Sequence, residues 1–162
     1  MMESKSKKDF PEHNDDKNWA RLVYIAKKHL DIWSHQSIRP GQGQLKLSYM
    51  PLIFNISTKG STNTEIAKRS LTAKQAMSRT VKELENKGMI STQPLSNDKR
   101  SYQINLTDEG LQFVQAANLR LSNLVANYKL LVGEDDFNIA TEVLHKIIRY
   151  HEQMNSDDAT EE

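Results

Sequence analysis

One stretch of the sequence, residues 62–106, decides the fold, and it reads TNTEIAKRSL TAKQAMSRTV KELENKGMIS TQPLSNDKRS YQINL. Thr62 with Glu65, and Thr72 with Gln75, each place a hydroxyl three residues before a longer polar side chain. This is the pattern of a capping box, in which two backbone N–H groups at a helix start are satisfied by side chains. The stretch therefore predicts two helices that follow directly on each other, with a turn around residues 70–71.

The second helix is predicted to run to Lys87 and to stop at Gly88, because glycine readily takes the left-handed conformation that closes a helix. Its inward face is Met77, Val81 and Leu84. After Gly88 the apolar period changes to two: residues 101–106 alternate polar and apolar, and residues 89–93 can pair with them across 94–100. Helix, turn, helix and hairpin predict a winged helix with a two-stranded β-wing.

The outward face of the second helix is polar, basic and placed for contact with DNA. Its members are Lys74, Gln75, Ser78, Arg79 and Lys82. In a major groove, glutamine can pair with adenine and arginine with guanine, whereas lysine and serine more often hold phosphates. Gln75 and Arg79 are the residues that we expect to read bases. The alternative is a solvated helix face without a partner.

The tip of the predicted wing carries Asp98, Lys99 and Arg100. A cationic side chain on a hairpin tip can enter a narrow minor groove, where A·T tracts deepen the negative potential, and Arg100 is that side chain. Asp98 would pair with Arg100 and fix its direction, unless it serves only as a turn residue. We expect Arg100→Ala to weaken DNA binding and to lower its salt dependence.

Charge is distributed unevenly along the 162 residues, although the net charge is only +1. Residues 1–58 hold nine Lys/Arg against six Asp/Glu, residues 59–100 hold nine against four, and residues 107–162 hold four against eleven. Phosphate binding depends on local clusters of cations rather than on whole-chain charge. A basic middle segment therefore favours an anionic partner.

The flanking segments are predicted to be helical and mainly to serve dimerisation. Apolar stripes at helical spacing cover residues 17–38 and 107–153, with a break at Gly133, and they exceed what a small winged helix can cover. We expect a mainly α fold: one domain over residues 17–153, its winged helix at 48–106, between a loose tail (1–16) and an acidic tail (154–162).

At this point the chain resembles a known family. Asn97-Asp98-Lys99-Arg100, followed by Leu106-Thr107-Asp108-Glu109-Gly110, is similar to the most recognisable motif of the MarR family of transcription regulators. The resemblance covers residues 17–153. It implies a triangular homodimer built from the terminal helices, a pseudo-palindromic operator in double-stranded DNA, and repression relieved by a small anionic or phenolic ligand. It also implies that Arg100 is the minor-groove residue and Asp98 its support.

By the same resemblance, an effector pocket would lie between the first two helices and the start of the long one. Ser48 is predicted to cap the second of these helices, with Pro51 in its first turn. The candidates for lining the pocket are Trp33, His35, Tyr49 and Phe54. Aromatic residues at helical spacing are also ordinary core residues, and that alternative stays open.

Other classes of function find little support in the sequence. It holds no nucleophile elbow, phosphate loop or HExxH motif, and its histidine pairs are six residues apart, so no enzyme, metal site or cofactor is expected. The chain has no cysteine, which fits a reducing cytoplasm and argues against thiol-based sensing. The alternative to DNA binding is a winged helix used for protein contacts, which would favour an apolar or acidic face on the second helix.

Overall fold

The computed structural model describes residues 18–38, 46–95 and 102–158. The chain divides into two compact units, residues 1–50 and 51–162. The described part is mainly helical with one small antiparallel sheet, which confirms the predicted fold class.

The first unit contains helix α1, Trp19–Ser37. Asn18 caps its start, because the side-chain Oδ1 accepts a hydrogen bond from the Arg21 backbone N–H at 3.1 Å. None of its residues is buried, and the large apolar side chains that remain exposed are Trp19, Leu22, Val23, Tyr24, Leu30 and Ile32. The predicted apolar stripe is therefore largely uncovered within this unit.

The prediction that Ser48 caps the second helix was wrong. A 3₁₀ turn at Leu47–Tyr49 precedes helix α2, Met50–Ile53, and the Tyr49 N–H already donates to the Lys46 carbonyl at 2.9 Å. Ser48 lies inside this turn, so it cannot take the extended backbone of a cap residue.

The second unit builds its core around α3 and α4. Helix α3, Asn63–Ser70, begins with the predicted capping box: Thr62 Oγ1 accepts from the Glu65 N–H at 3.2 Å, and Glu65 Oε2 accepts from the Thr62 N–H at 2.8 Å. It ends at Leu71, which takes the left-handed conformation with φ of 51°. The predicted turn is confirmed.

Helix α4, Lys74–Asn86, starts differently from the prediction. Its cap residue is Ala73, whose side chain can make no hydrogen bond, and the hydroxyl of Thr72 donates to the Ser70 carbonyl at 3.1 Å. The second capping box is therefore absent, because the left-handed Leu71 places Thr72 in the turn, one residue before the cap. The end of α4 agrees with the prediction: Gly88 has φ of +69°.

The sheet has three strands, one more than predicted. Strands β2, Ile90–Pro94, and β3, Tyr102–Leu106, form the expected hairpin, with Thr92 opposite Ile104 and Pro94 opposite Tyr102. Strand β1, Ser61–Thr62, pairs with the other edge of β3, so the order is β1-β3-β2. Two residues are too few for a recognisable alternation, and the sequence therefore does not reveal β1.

The core of this unit is filled from α2, α3, α4 and the sheet. Its most deeply buried side chains include Leu52, Ile53, Ile66, Met77, Leu84, Ile90 and Ile104. Met77 and Leu84 come from the predicted inward face of α4, which is confirmed. These contacts fix α4 with one side inward and the other in solvent.

Two helices of 25 residues complete the second unit: α5, Asp108–Val132, and α6, Glu134–Asp158. Thr107 caps α5 by accepting from the Gly110 N–H at 3.1 Å, and Gly133 separates the two helices, as predicted. Helix α6 reaches Asp158, within the segment 154–162 for which the sequence predicts an acidic tail. None of the helices in the described part of the chain is long and apolar enough to cross a membrane.

Candidate nucleic-acid interface

Helix α4 presents two opposite faces. Met77 and Val81 are each only 2% exposed, while Gln75, Arg79 and Lys82 are exposed on the other side. The i, i+4 and i+7 spacing of these three residues aligns them along one stripe of the helix. Three of the predicted DNA-contacting side chains therefore share an accessible surface, and Lys74 begins the same helix.

Ser78, predicted for the same face, is half-buried and turned towards α3. Its hydroxyl oxygen lies 3.4 Å from Asn63 Nδ2, at the first residue of α3. This contact joins the two helices near the N-terminal half of α4. Ser78 thus has a partner inside the protein.

Arg79 is held by an ion pair on its own helix. Its Nε donates to Glu83 Oε1 at 3.0 Å, one helical turn further along. The Arg79 side chain is 84% exposed, while that of Glu83 is 28% exposed. Glu83 is not among the site residues predicted from the sequence, although its i, i+4 spacing from Arg79 indicates an ion pair of this kind.

Arg69 fixes α3 to the segment that precedes it. Its Nη1 donates to the Asn55 carbonyl at 2.9 Å and to Ser61 Oγ at 3.0 Å. Ser61 belongs to β1 and is buried. Arg69 therefore holds the first helix of the pair against the sheet, and no spacing rule predicts a contact between residues fourteen positions apart.

The wing is fastened to α4 through Glu85. Its Oε1 accepts from the Thr92 N–H at 3.2 Å and from the Thr92 hydroxyl at 2.7 Å. The tip of the wing, with Asp98, Lys99 and Arg100, lies outside the described residues. Their predicted roles stay predictions.

The start of α5 is locked to the end of α4. The Thr107 N–H donates to the Met89 carbonyl at 3.1 Å, and the Thr107 hydroxyl donates to the Gly88 carbonyl at 2.5 Å. A Cβ on Gly110 would lie 1.9 Å from the Met89 oxygen, so only glycine fits there. This junction therefore requires a hydroxyl residue at position 107 and a glycine three residues later, at position 110.

Charge near the helix pair is mainly positive. Exposed cations on this part of the chain are Lys59, Lys68, Arg69, Arg79, Lys82 and Lys87. The Glu65 carboxylate takes part in the capping box. Its hydrogen bond from the Thr62 backbone N–H, and to a lesser extent that from the Thr62 side chain, lowers the pKa of this carboxyl below the usual 4.5. The surface around α4 therefore favours an anionic ligand.

The four candidate pocket residues have different surroundings. Tyr49 is buried, Trp33 is half-buried, and Phe54 packs beside Phe113 with ring centroids 6.4 Å apart. His35 is exposed and lines an open cavity of about 340 Å³ within the first unit. The other described residues of its lining are Lys28, Asp31, Ile32, Gln36 and Leu47.

The described ranges hold no cluster of three His, Asp or Glu side chains that could bind a metal ion. Asp31 of the cavity is paired with Lys27 at 2.6 Å, and Lys28 lies 5.6 Å from the centre of the Tyr24 ring. These polar groups are thus already engaged with neighbours on α1.

Comparison with known proteins shows what this arrangement is similar to. The model of the MarR family matches residues 52–102. The chain is 29% identical over 111 residues to the HTH-type transcriptional repressor YetL of Bacillus subtilis (strain 168). This match covers 66% of the chain and 66% of YetL, just under two thirds of its length.

Two solved structures share the fold. FabT of Streptococcus pneumoniae, in complex with DNA, has a TM-score of 0.71 at 12% identity, covering 83% of this chain and 96% of its own. A mutant of MarR from E. coli, complexed with operator DNA, has a TM-score of 0.68 at 21% identity, covering 79% of this chain and 91% of its own.

Proposed function

We propose that the chain is a DNA-binding transcription regulator of the MarR family and acts as a homodimeric repressor on a pseudo-palindromic operator in double-stranded DNA. The observation that carries this proposal is the division of α4 into a buried apolar face and an exposed polar one. Gln75 and Arg79 lie on the exposed face, which is the composition that a helix needs in a major groove.

The remaining predicted contacts would extend this surface. Lys74 and Lys82 would hold phosphates at either side of the base-reading residues, and Ser78 would help to fix the position of α4 through Asn63. At the wing tip, Arg100 would enter the minor groove with Asp98 as its support, and Lys99 would hold phosphate. Two such surfaces in a dimer would meet half-sites one helical turn apart.

The second copy would pair through the terminal helices. Their exposed apolar side chains are unsuited to water, and a homodimer would cover them, as the resemblance to the family implies. A regulator of this kind would act in the cytoplasm. A small anionic or phenolic effector is the proposed regulator, and the cavity beside His35, with Lys28 on its rim, is large enough for a molecule of that size.

Selection of bound sites from a random duplex pool tests the proposal. We expect an inverted repeat with half-site centres about 10 bp apart. The variant Arg79→Ala should lose about 1–3 kcal/mol of discrimination at one base pair in each half-site. As the matched control, Lys146→Ala removes a cation from α6, and its selected motif should equal that of the unmodified protein.

Two outcomes would contradict the proposal. An unchanged base preference in Arg79→Ala would remove the assignment of α4 to the major groove. Salt-resistant binding with no enriched motif would instead favour a winged helix that contacts proteins, because non-specific binding to phosphates weakens steeply with salt.

A further inference from the structure

We infer that Glu83 is a positioning residue for Arg79: it orients the guanidinium towards guanine and lowers the attraction of α4 for DNA of unrelated sequence. This inference rests on the proposed function. Glu83 would thus determine base specificity on the exposed face of α4 without itself touching a base.

The geometry of the ion pair carries the argument. Arg79 uses its Nε to bind Glu83, at 3.0 Å. A guanidinium presents two donor edges, and the edge formed by the two terminal nitrogens is the one that matches guanine O6 and N7. Binding through Nε anchors the side chain and directs this second edge away from Glu83, so it can accept a bidentate partner.

The unequal exposure of the two side chains adds to this argument. Glu83 is 28% exposed, whereas Arg79 is 84% exposed. The carboxylate is thus the better-fixed partner, and the long arginine side chain is steered by it. Ordering a flexible side chain before binding removes part of the entropy that complex formation would otherwise cost.

The sign of the charge provides the second part of the inference. Helix α4 has two acidic residues, Glu83 and Glu85, and each accepts a hydrogen bond from within the protein. A carboxylate on a DNA-facing helix repels phosphates, so Glu83 weakens contact with every sequence. It also occupies Arg79, which would otherwise be free to bind any nearby phosphate. Glu83 therefore raises the ratio of specific to non-specific affinity.

Two variants of Glu83 test this role. Glu83→Ala removes the anchor, and we expect preference for guanine at one position per half-site to fall about fivefold. Affinity for unrelated duplex DNA should rise in the same variant, because a negative charge is lost and Arg79 becomes free. Glu83→Gln keeps an acceptor for Nε without the charge, so base preference should be largely restored while non-specific affinity stays raised.

The measurement is fluorescence anisotropy with the selected operator, the operator changed at that base pair, and an unrelated duplex, all at two salt concentrations. The matched control is Glu142→Ala, which removes an i, i+4 pair with Lys146 on α6 and should alter none of these affinities. Thermal melting by circular dichroism shows that each variant is folded.

Unchanged base preference in Glu83→Ala overturns the inference, as does an equal loss in Glu83→Gln, which would assign the effect to charge alone. Failure of the proposed function is a separate result. In that case the unmodified protein selects no motif, and no preference exists for Glu83 to affect.

Discussion

The winged-helix part, residues 51–106, and helix α6 use their apolar side chains in opposite ways. In the former, Leu52, Ile66, Leu84 and Ile104 are wholly buried. In α6, none of residues 134–155 is buried, and Ile139 and Tyr150 are about 60% exposed. The core of the winged helix is thus completed by its own chain, while the apolar side chains of the last helix would be covered only in the proposed dimer.

The largest effect that we expect comes from the core of the winged helix. Leu84→Ala should lower the free energy of unfolding by about 2–5 kcal/mol, because it removes buried methyl groups and leaves a cavity. Urea-induced unfolding followed by circular dichroism measures this loss. A loss below about 1 kcal/mol would contradict the buried position of Leu84.

The matched control is the same change at Leu130, which is 85% exposed at the end of α5. In the monomer it should cost less than about 0.5 kcal/mol. A larger cost that disappears on dilution would show that a second copy covers this part of α5, and it would sharpen the contrast between the two regions.

The next effect concerns the uncovered face of α6. Replacing Ile139 and Tyr150 together by glutamate should weaken dimerisation at least a hundredfold, since a homodimer holds four of these side chains and each one withdrawn from an interface forfeits about 1.5 kcal/mol or more. Sedimentation velocity measures the change from dimer to monomer. Thr141→Glu with His145→Glu, on the opposite side of α6, is the control, and equal dissociation in both pairs would argue against a specific face.

A smaller effect distinguishes the two threonines of the predicted capping boxes. Thr62→Ala should destabilise the protein by about 1 kcal/mol, because Thr62 satisfies the Glu65 N–H. Thr72→Ala should cost clearly less, because Thr72 caps no helix. Thermal melts of the two variants check the difference, and equal costs would mean that α4 begins at Thr72 after all.

The smallest effect is the pH dependence contributed by Glu65. Hydrogen bonds from Thr62 lower the pKa of this carboxyl in the folded protein, so its contribution to stability is present above its usual value of 4.5. It is lost as the pH falls through the lowered pKa. The stability difference between the unmodified protein and Glu65→Gln should therefore be constant near neutrality and shrink in acid, as measured by urea unfolding at several pH values.

Local patterns were enough to predict the two faces of α4, the first capping box, the closing Gly88 and the start of α5 at Thr107. Each depends on residues within one or two turns of each other. Ser48 and Thr72 were misassigned as caps because neighbouring turns, at Leu47–Tyr49 and Leu71, displaced the helix starts.

The contacts that the sequence could not reveal are those between distant segments. Strand β1 pairs with the edge of β3 that β2 leaves open. Arg69 donates to acceptors on the segment before α3, and Glu85 accepts a hydrogen bond from Thr92 on β2. Such contacts depend on which distant segments the fold brings together, and local sequence patterns do not contain that information. The roles of Asp98, Lys99 and Arg100 stay predictions from the motif.

The close fit of Gly110 against the Met89 carbonyl has a mechanical consequence. Because the start of α5 is in direct contact with the segment that follows α4, a rotation of one helix also rotates the other. Helix α4 has 13 residues and is about 20 Å long. A tilt of α5 by a few degrees swings Gln75, at the far end of α4, sideways by an ångström or two, which is enough to break a hydrogen bond to a base edge. In the proposed regulator, a molecule that bends α5 would thus release DNA without approaching it.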